Sequence, residues 1–265
     1  MILRRLGNKK KVAKDIIQHF PPHKVYVSPF FGAGGMFFNK PKAKYNLVND
    51  LDSDVFNLFQ VVMNQKQELE EAFYMMPIHS DLLEYWKKNE ETEPVRKALR
   101  FLFLSNLIRP TTGDILRKCY FNSKEITANG LKNSFDFLKN NNIRFFNEDF
   151  RKFISLLYFQ KERPFEKVNT FIYNDPPYQN TTDNYSHSFT KQDLIDLIEV
   201  NIETGCKFAI SEFNSDVVLE LAKQYELEVI TIGERQNLKN RRTEILLVNY
   251  RSQALYGLFG YQNGK

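Results

Sequence analysis

Cysteine is scarce: two residues, Cys119 and Cys206, stand far apart with no histidine beside either. That spacing excludes a disulfide framework and argues against a zinc site. His19, His23, His79 and His187 are scattered along the chain, and each reads as a surface or turn residue rather than a metal ligand or catalyst. No apolar run approaches the ~20 residues of a membrane span, and the basic N-terminus lacks the apolar stretch of a signal peptide. A cytoplasmic protein without a membrane partner is therefore expected. Internal repeats and low-complexity tracts are missing, which removes solenoids and linkers from consideration. No Gly-Lys-Ser/Thr follows the glycine cluster near residue 32, so a P-loop is excluded, and the full dinucleotide fingerprint is absent as well.

What is present describes a globular chain rich in rings. Its 265 residues suit one large α/β domain with an inserted or appended subdomain, and its 24 Phe and 13 Tyr supply both core and stacking surface. The formal charge of +5 decides little by itself. Its distribution says more, because Arg4, Arg5, Lys9, Lys10, Lys11 and Lys14 crowd one end while Lys239, Arg241 and Arg242 crowd a late loop. Two such clusters suit a surface that tracks phosphates.

The order of elements points to a mostly parallel sheet. A short basic helix over residues 10–20 stops at Pro21-Pro22, and Val25-Tyr26-Val27 then reads as a buried strand running into Pro29-Phe30-Phe31-Gly32-Ala33-Gly34-Gly35. Tyr45 to Asp50 is a second strand ending in a carboxylate, so the chain opens as a βαβ unit. Helical spacing of Val55, Leu58, Phe59, Val62, Leu69, Ala72 and Phe73 predicts one helix over about 52–76, and Val95, Leu99, Leu102 and Phe103 predict another. Trp86 is expected to pack within this helical part. From 108 to 142 the periodicity breaks among Pro110-Thr111-Thr112-Gly113, Asn129-Gly130 and three asparagines, which predicts a loop-rich insert. Strands resume at 143–146, 170–173 and 208–211, with a helix at 191–200. The last two strands, 227–232 and 244–250, have no helix between them and predict a terminal antiparallel hairpin.

Chemistry collects at three strand ends. Gly32, Gly34 and Gly35 let the backbone approach a nucleotide-like cofactor, although a tight turn with no ligand is the competing reading. Asp50, ending the next strand, is placed to accept from both hydroxyls of a ribose. The alternative is a helix cap, a role that Asp52 and Asp54 fill better. The third end is Asp175-Pro176-Pro177-Tyr178. Two prolines remove N–H donors and hold the local carbonyls out of a helix, while Tyr178 offers a stacking face. An exocyclic aromatic amine is a poor nucleophile because its lone pair is delocalised. Acceptors at the Asp175 carboxylate and the Pro176 carbonyl could take its two hydrogens and localise that pair. A base inside a duplex must be flipped out to reach them, and the polar stretch 180–188 is placed to cover it.

These motifs in this order, over about Leu3 to Tyr250, resemble the Dam-like, D12-class DNA adenine N6-methyltransferases. The resemblance implies a Rossmann-like α/β methyltransferase sheet with a terminal hairpin and an inserted, mostly helical recognition subdomain. Residues 1–55 and 143–250 would form the catalytic domain, 56–142 the recognition subdomain and 251–265 a tail. It implies S-adenosylmethionine as cofactor, with Arg5 and Lys9 in an N-terminal cofactor motif and Pro29, Phe30, Gly32 and Gly34 in the loop on the methionine side. Asp50 would hold the ribose, Asp149 and Phe150 would flank the cofactor adenine, and Asp175, Pro176, Pro177 and Tyr178 would form the catalytic strip. Double-stranded DNA would be the partner, gripped through Lys239, Arg241 and Arg242 and read through Arg109, Thr111, Thr112, Arg117 and Lys118. Transfer would be direct, with no metal. A restriction–modification or phage setting with a cognate endonuclease follows from the same likeness, and a monomer is expected. Arg5, Asn8 and Ser28 depart from the family's aromatic, glycine and acidic residues. Those departures permit one rival, a silent nucleic-acid-binding homologue; the nearer rival is an enzyme of this family acting on cytosine N4 or on RNA.

Overall fold

The computed structural model describes residues 2–3, 9, 12–108, 116, 120–157, 159, 165–178, 189–236 and 241–252. In chain order they form α1 (Ala13–Ile17), β1 (Val25–Ser28), β2 (Tyr45–Asn49), α2 (Ser53–Asn64), α3 (Lys66–Met75), α4 (Ser80–Lys88), α5 (Pro94–Asn106), α6 (Tyr120–Lys139) and β3 (Ile143–Phe146). There follow α7 (Phe150–Ser155), α8 (Phe165–Val168), β4 (Thr170–Asn174), α9 (Lys191–Thr204), β5 (Lys207–Phe213), α10 (Asp216–Gln224), β6 (Glu228–Gln236) and β7 (Arg241–Val248). The seven strands make one sheet in the order β3-β2-β1-β4-β5-β7-β6. All pairs are parallel except those of β7, which runs antiparallel to both β5 and β6. The expected terminal hairpin is therefore present, with its second strand inserted beside β5.

Strand alternation divides the core in two. Tyr26, Phe171, Tyr173 and Leu246 face a layer built from α2, α3, α5 and α6, with Phe37, Phe59 and Phe103 between. Their neighbours Val27, Ile172 and Leu247 face α7, α9 and α10 through Phe153, Leu197 and Leu221. Each fully buried side chain of this size contributes roughly 1.5–3 kcal/mol relative to exposure. A sheet covered on both faces needs near-continuous apolar strands, and β4 is buried at every position.

Local chemistry sets the helix boundaries. Asp52 caps α2 by accepting from the Asp54 N–H, Glu93 accepts from Val95 and Arg96 ahead of Pro94, and Thr190 and Asp193 form a capping box at α9. The single helix expected over 52–76 is two, because Gln65 leaves helical geometry at φ −133°, ψ 37°. The second correction is larger. The loop-rich insert expected from 108 to 142 contains the 20-residue helix α6. Its inward face carries Ser123, Thr127, Gly130, Leu131, Ser134 and Leu138, all buried. These positions keep helical spacing, but four of the six are small and three of those are polar. Hydrophobic periodicity cannot register them, and Asn129-Gly130, a turn signal in isolation, sits in mid-helix because its neighbours pack closely. Thr127 answers its own burial by donating to the Ser123 carbonyl at 2.8 Å.

Arg151 ties α7 to α9. Its guanidinium reaches Asp193 at 2.5 Å, Asp196 at 2.6 Å and Asp149 at 3.3 Å. Burial works against the Asp193 carboxylate, yet Thr190 and Arg151 hold it below its usual range. The Gln192 amide and Arg151 do the same for Asp196. Depressed carboxylates contribute stability above their unfolded pKa of about 3.9, and that contribution disappears as pH falls through the folded value. Arg151→Met is expected to cost up to about 1 kcal/mol near pH 7, since the network is partly exposed and screened by solvent. Urea titrations should show that cost shrinking as pH falls below about 4; a cost that grows on acidification would contradict the assignment.

Candidate active site at the carboxyl ends of the strands

The strand order reverses between β1 and β4, which leave their shared boundary in opposite directions across the sheet. Doubly wound sheets bind ligands in the crevice at such a point. β1 and β4 pair in register through Val27 and Ile172, so Ser28-Pro29 and Asn174-Asp175 emerge side by side. The glycine turn and the Asp-Pro-Pro-Tyr segment, far apart in sequence, thus meet.

The glycine turn is bolted to the next strand. The Gly32 N–H donates to Asp50 Oδ2 at 2.6 Å, while Oδ1 accepts from the Asp52 N–H at 2.9 Å. The buried Asn49 side chain donates to the Pro29 carbonyl at 3.0 Å and to the Glu148 carbonyl at 2.9 Å, and accepts from the Glu148 N–H at 2.9 Å. One amide therefore holds together the segments carrying Pro29, Asp50 and Asp149. Gly34 has φ +72°, and a Cβ there would lie 2.6 Å from the Phe38 ring. Gly32 has φ +54°, and a Cβ on it would meet nothing within 4 Å. The turn's outer side therefore opens on space that a nucleoside cofactor could fill. Phe30, Phe150 and Phe189 stand with ring centroids 5.5–6.0 Å apart behind it. Asp149 caps α7 through the Arg151 N–H, at 2.9 Å.

At β4 the buried Asn174 amide donates to Asn201 Oδ1 at 3.3 Å and to the Ala209 carbonyl at 3.2 Å. That anchors the backbone entering Asp175. Beneath Asp175 lies a buried ion cluster. The Lys9 ammonium is 3.2 Å from Asp175 Oδ1, 3.0 Å from Ser211 Oγ and in close contact with Glu244 Oε1. It also sits 4.4 Å from the centroid of the Tyr178 ring, and that ring meets Phe213 edge-on at 4.4 Å. The Tyr178 hydroxyl lies 3.3 Å from Glu244 Oε1 and 3.4 Å from Asp175 Oδ1. Burial pushes the Tyr173 and Tyr26 phenols far above their usual range, and the Asp175 charge adds to both shifts.

Several sequence expectations change here. Lys9 is withdrawn from the basic surface expected of the N-terminus: only 2% of it is exposed, and its charge is spent on two carboxylates. His19, read as a surface or turn residue, lies in a turn but is buried, with Nδ1 2.8 Å from Ser252 Oγ. Arg242 comes beside the site, its guanidinium 5.4 Å from the Phe213 ring centroid. Arg5, Asn8, Arg109, Thr111, Thr112, Arg117, Lys118, Lys239 and the segment 180–188 lie outside the described residues, as does the Arg241 side chain. Asn49, Ser211, Phe213 and Glu244 were not anticipated. The one available signal was Glu244, a carboxylate leading the apolar run Ile245-Leu246-Leu247-Val248.

The sheet order and the paired loops at its switch point are those of a Rossmann-like, doubly wound α/β fold. More narrowly, the chain belongs to the D12 class N6 adenine-specific DNA methyltransferase family, whose model matches residues 6–236. It is thus an adenine-specific DNA methyltransferase with S-adenosylmethionine as its cofactor. A type II methyltransferase, M1.LlaDCHI of Lactococcus lactis, is 24% identical over 92% of this chain and 93% of its own. The DNA adenine methylase of Haemophilus influenzae is 27% identical over 66% of this chain and 63% of its own. That of Salmonella typhi is 32% identical over only 39% of each chain. Among solved structures, the rRNA methyltransferase aviRa of Streptomyces viridochromogenes matches over 93% of this chain and 89% of its own, at 10% identity and a TM-score of 0.42.

The two glycines differ in a testable way. Gly34→Ala combines a left-handed φ with a clash against a ring already packed on Phe37 and Phe137, and should cost about 2–4 kcal/mol in urea unfolding. Gly32→Ala carries the backbone penalty alone, about 1–2 kcal/mol. The reverse ranking would show that the turn is not packed as described.

Proposed function

We propose that the chain transfers a methyl group to N6 of an adenine flipped out of duplex DNA, with Asp175 and the Pro176 carbonyl receiving the amino hydrogens and Tyr178 stacking on the base. The observation carrying this reading is the juxtaposition of a partly exposed carboxylate and an aromatic ring at the switch point, both held from below by buried polar side chains. S-adenosylmethionine supplies an electrophilic methyl on its sulfonium. Asp50, half-buried at the end of β2 and joined to the Gly32 turn, is suited to hold the ribose. Phe30 and Phe150 give an apolar wall for the adenine of the cofactor, with Asp149 at its edge. Lys9 holds the Asp175 carboxylate in place.

Residues 1–55 and 143–250 would carry out the chemistry and 56–142 would read the target, with Arg109, Thr111, Thr112, Arg117 and Lys118 meeting base edges. Lys239, Arg241 and Arg242 would grip phosphates, and the position of Arg242 beside Phe213 supports a hairpin reaching over the same crevice. A restriction–modification setting with a cognate endonuclease is supported by the relative named a type II methyltransferase.

Nucleoside analysis of duplex DNA treated with the purified protein and donor should show N6-methyladenine; N4-methylcytosine, or modification of RNA alone, would overturn the reading. Asp175→Ala should lower turnover on the order of 10²-fold or more while donor affinity falls far less. Near wild-type turnover in that variant would remove Asp175 from the mechanism. Asp50→Ala should instead weaken donor binding, by roughly 1.5–3 kcal/mol in calorimetry. Unchanged affinity would restrict Asp50 to holding the Gly32 turn.

A further inference from the structure

Glu244 has no assigned part in the reaction, yet it is the point on which the site's polar groups converge. It lies on β7 opposite Phe213 of β5 and opposite Gly233 of β6. The β6 register slips between Thr231 and Gly233, directly across from it. Bulges next to active sites commonly re-aim a side chain. The Glu244 side chain is fully buried, and Oε1 accepts from Ser211 Oγ at 2.8 Å, contacts the Lys9 ammonium and lies 3.3 Å from the Tyr178 hydroxyl.

Stability alone does not explain a buried acid at this position. An apolar side chain of similar volume would continue the run that follows it in β7, and exchanging a buried ion pair for apolar packing is often neutral or stabilising. The geometry explains it in another way. A lysine paired with Asp175 alone would concentrate its charge on the carboxylate that must receive an amino hydrogen, lowering that carboxylate's strength as an acceptor. Here one ammonium is divided, with the closer contact made to Glu244 and the longer, 3.2 Å contact made to Asp175. The same Glu244 oxygen lies within reach of the hydroxyl of the ring proposed to stack on the base.

We propose that Glu244 is a positioning residue for methyl transfer: it draws the Lys9 ammonium toward β7 and orients Tyr178, so that Asp175 keeps its strength as an acceptor beside a correctly set ring. The inference rests on the function proposed above. Its role is indirect, because Glu244 would touch neither the base nor the donor.

The test compares Glu244→Gln and Glu244→Asp with wild type in the full chain, measuring turnover at saturating donor and DNA, and donor affinity by calorimetry. Glu244→Gln should lower turnover at least about tenfold with donor affinity within about threefold, and Glu244→Asp, which keeps the charge, should recover part of the loss. Should the glutamine variant fail to fold, the aspartate variant carries the test, with reduced turnover and wild-type donor affinity expected. Turnover within about twofold of wild type in a folded variant would overturn the inference. So would parallel losses of turnover and donor affinity that are equal in both variants, which mark a purely structural role. Wild-type protein that makes no N6-methyladenine would overturn the functional reading itself, an outcome separable from either of these.

Discussion

The in-register pairing of β1 with β4 is the constraint on which the site depends. A parallel pair needs a crossover of a dozen or more residues, and here the crossover contains β2, β3 and the seven helices α2 to α8. All of that intervening chain returns so that Pro29 and Asp175 leave the sheet as neighbours. Hydrogen bonds from Asn49 and Asn174 then fix the two exits, each from a fully buried side chain. A buried amide satisfied at both its nitrogen and its oxygen, as that of Asn49 is, specifies one geometry.

The chemistry of the sheet changes along its strands. Beneath the strand ends the core is apolar and ring-rich, while at the ends Lys9, Ser211, Glu244 and Tyr178 form a polar cluster in the same sheet layer. Low local dielectric strengthens each contact in such a cluster and raises the cost of any group left over. The charges there are consequently arranged by one another more than by solvent. In the function proposed above, that fixed arrangement would let Asp175 act on a weakly nucleophilic amine without first reorganising water.

Strand ends with distinctive residues were legible from sequence, because glycine turns, an aspartate ending a strand and a Pro-Pro-Tyr segment are local signals that survive any tertiary context. The strands of the sheet and the terminal hairpin were legible for the same reason. α6 was not, since its buried face of Ser123, Thr127, Gly130 and Ser134 is defined by small size rather than by apolarity. Lys9 was misassigned because charge clustering along the chain says nothing about which member turns inward. Ser211 and Glu244 were not assigned to the site because neither belongs to a local motif, and only the β5–β7 register sets them beside Lys9.

Asp50 shows how two readings that compete in sequence are joined in structure. Capping and ligand binding looked like alternatives, yet Asp52 supplies the helix cap while Asp50 accepts from both the Gly32 and Asp52 N–H groups. In the function proposed above, the carboxylate that would hold the ribose is also the one that fixes the Gly32 turn. A ligand drawing on Asp50 would meet a turn already set in position, because the left-handed φ of Gly32, which glycine adopts without strain, is held by that bond. Preorganisation of this kind transfers part of the ordering cost of binding to folding. It would also make the two roles inseparable at that residue, because removing the carboxylate would release the turn as it removed the acceptor proposed for the ribose.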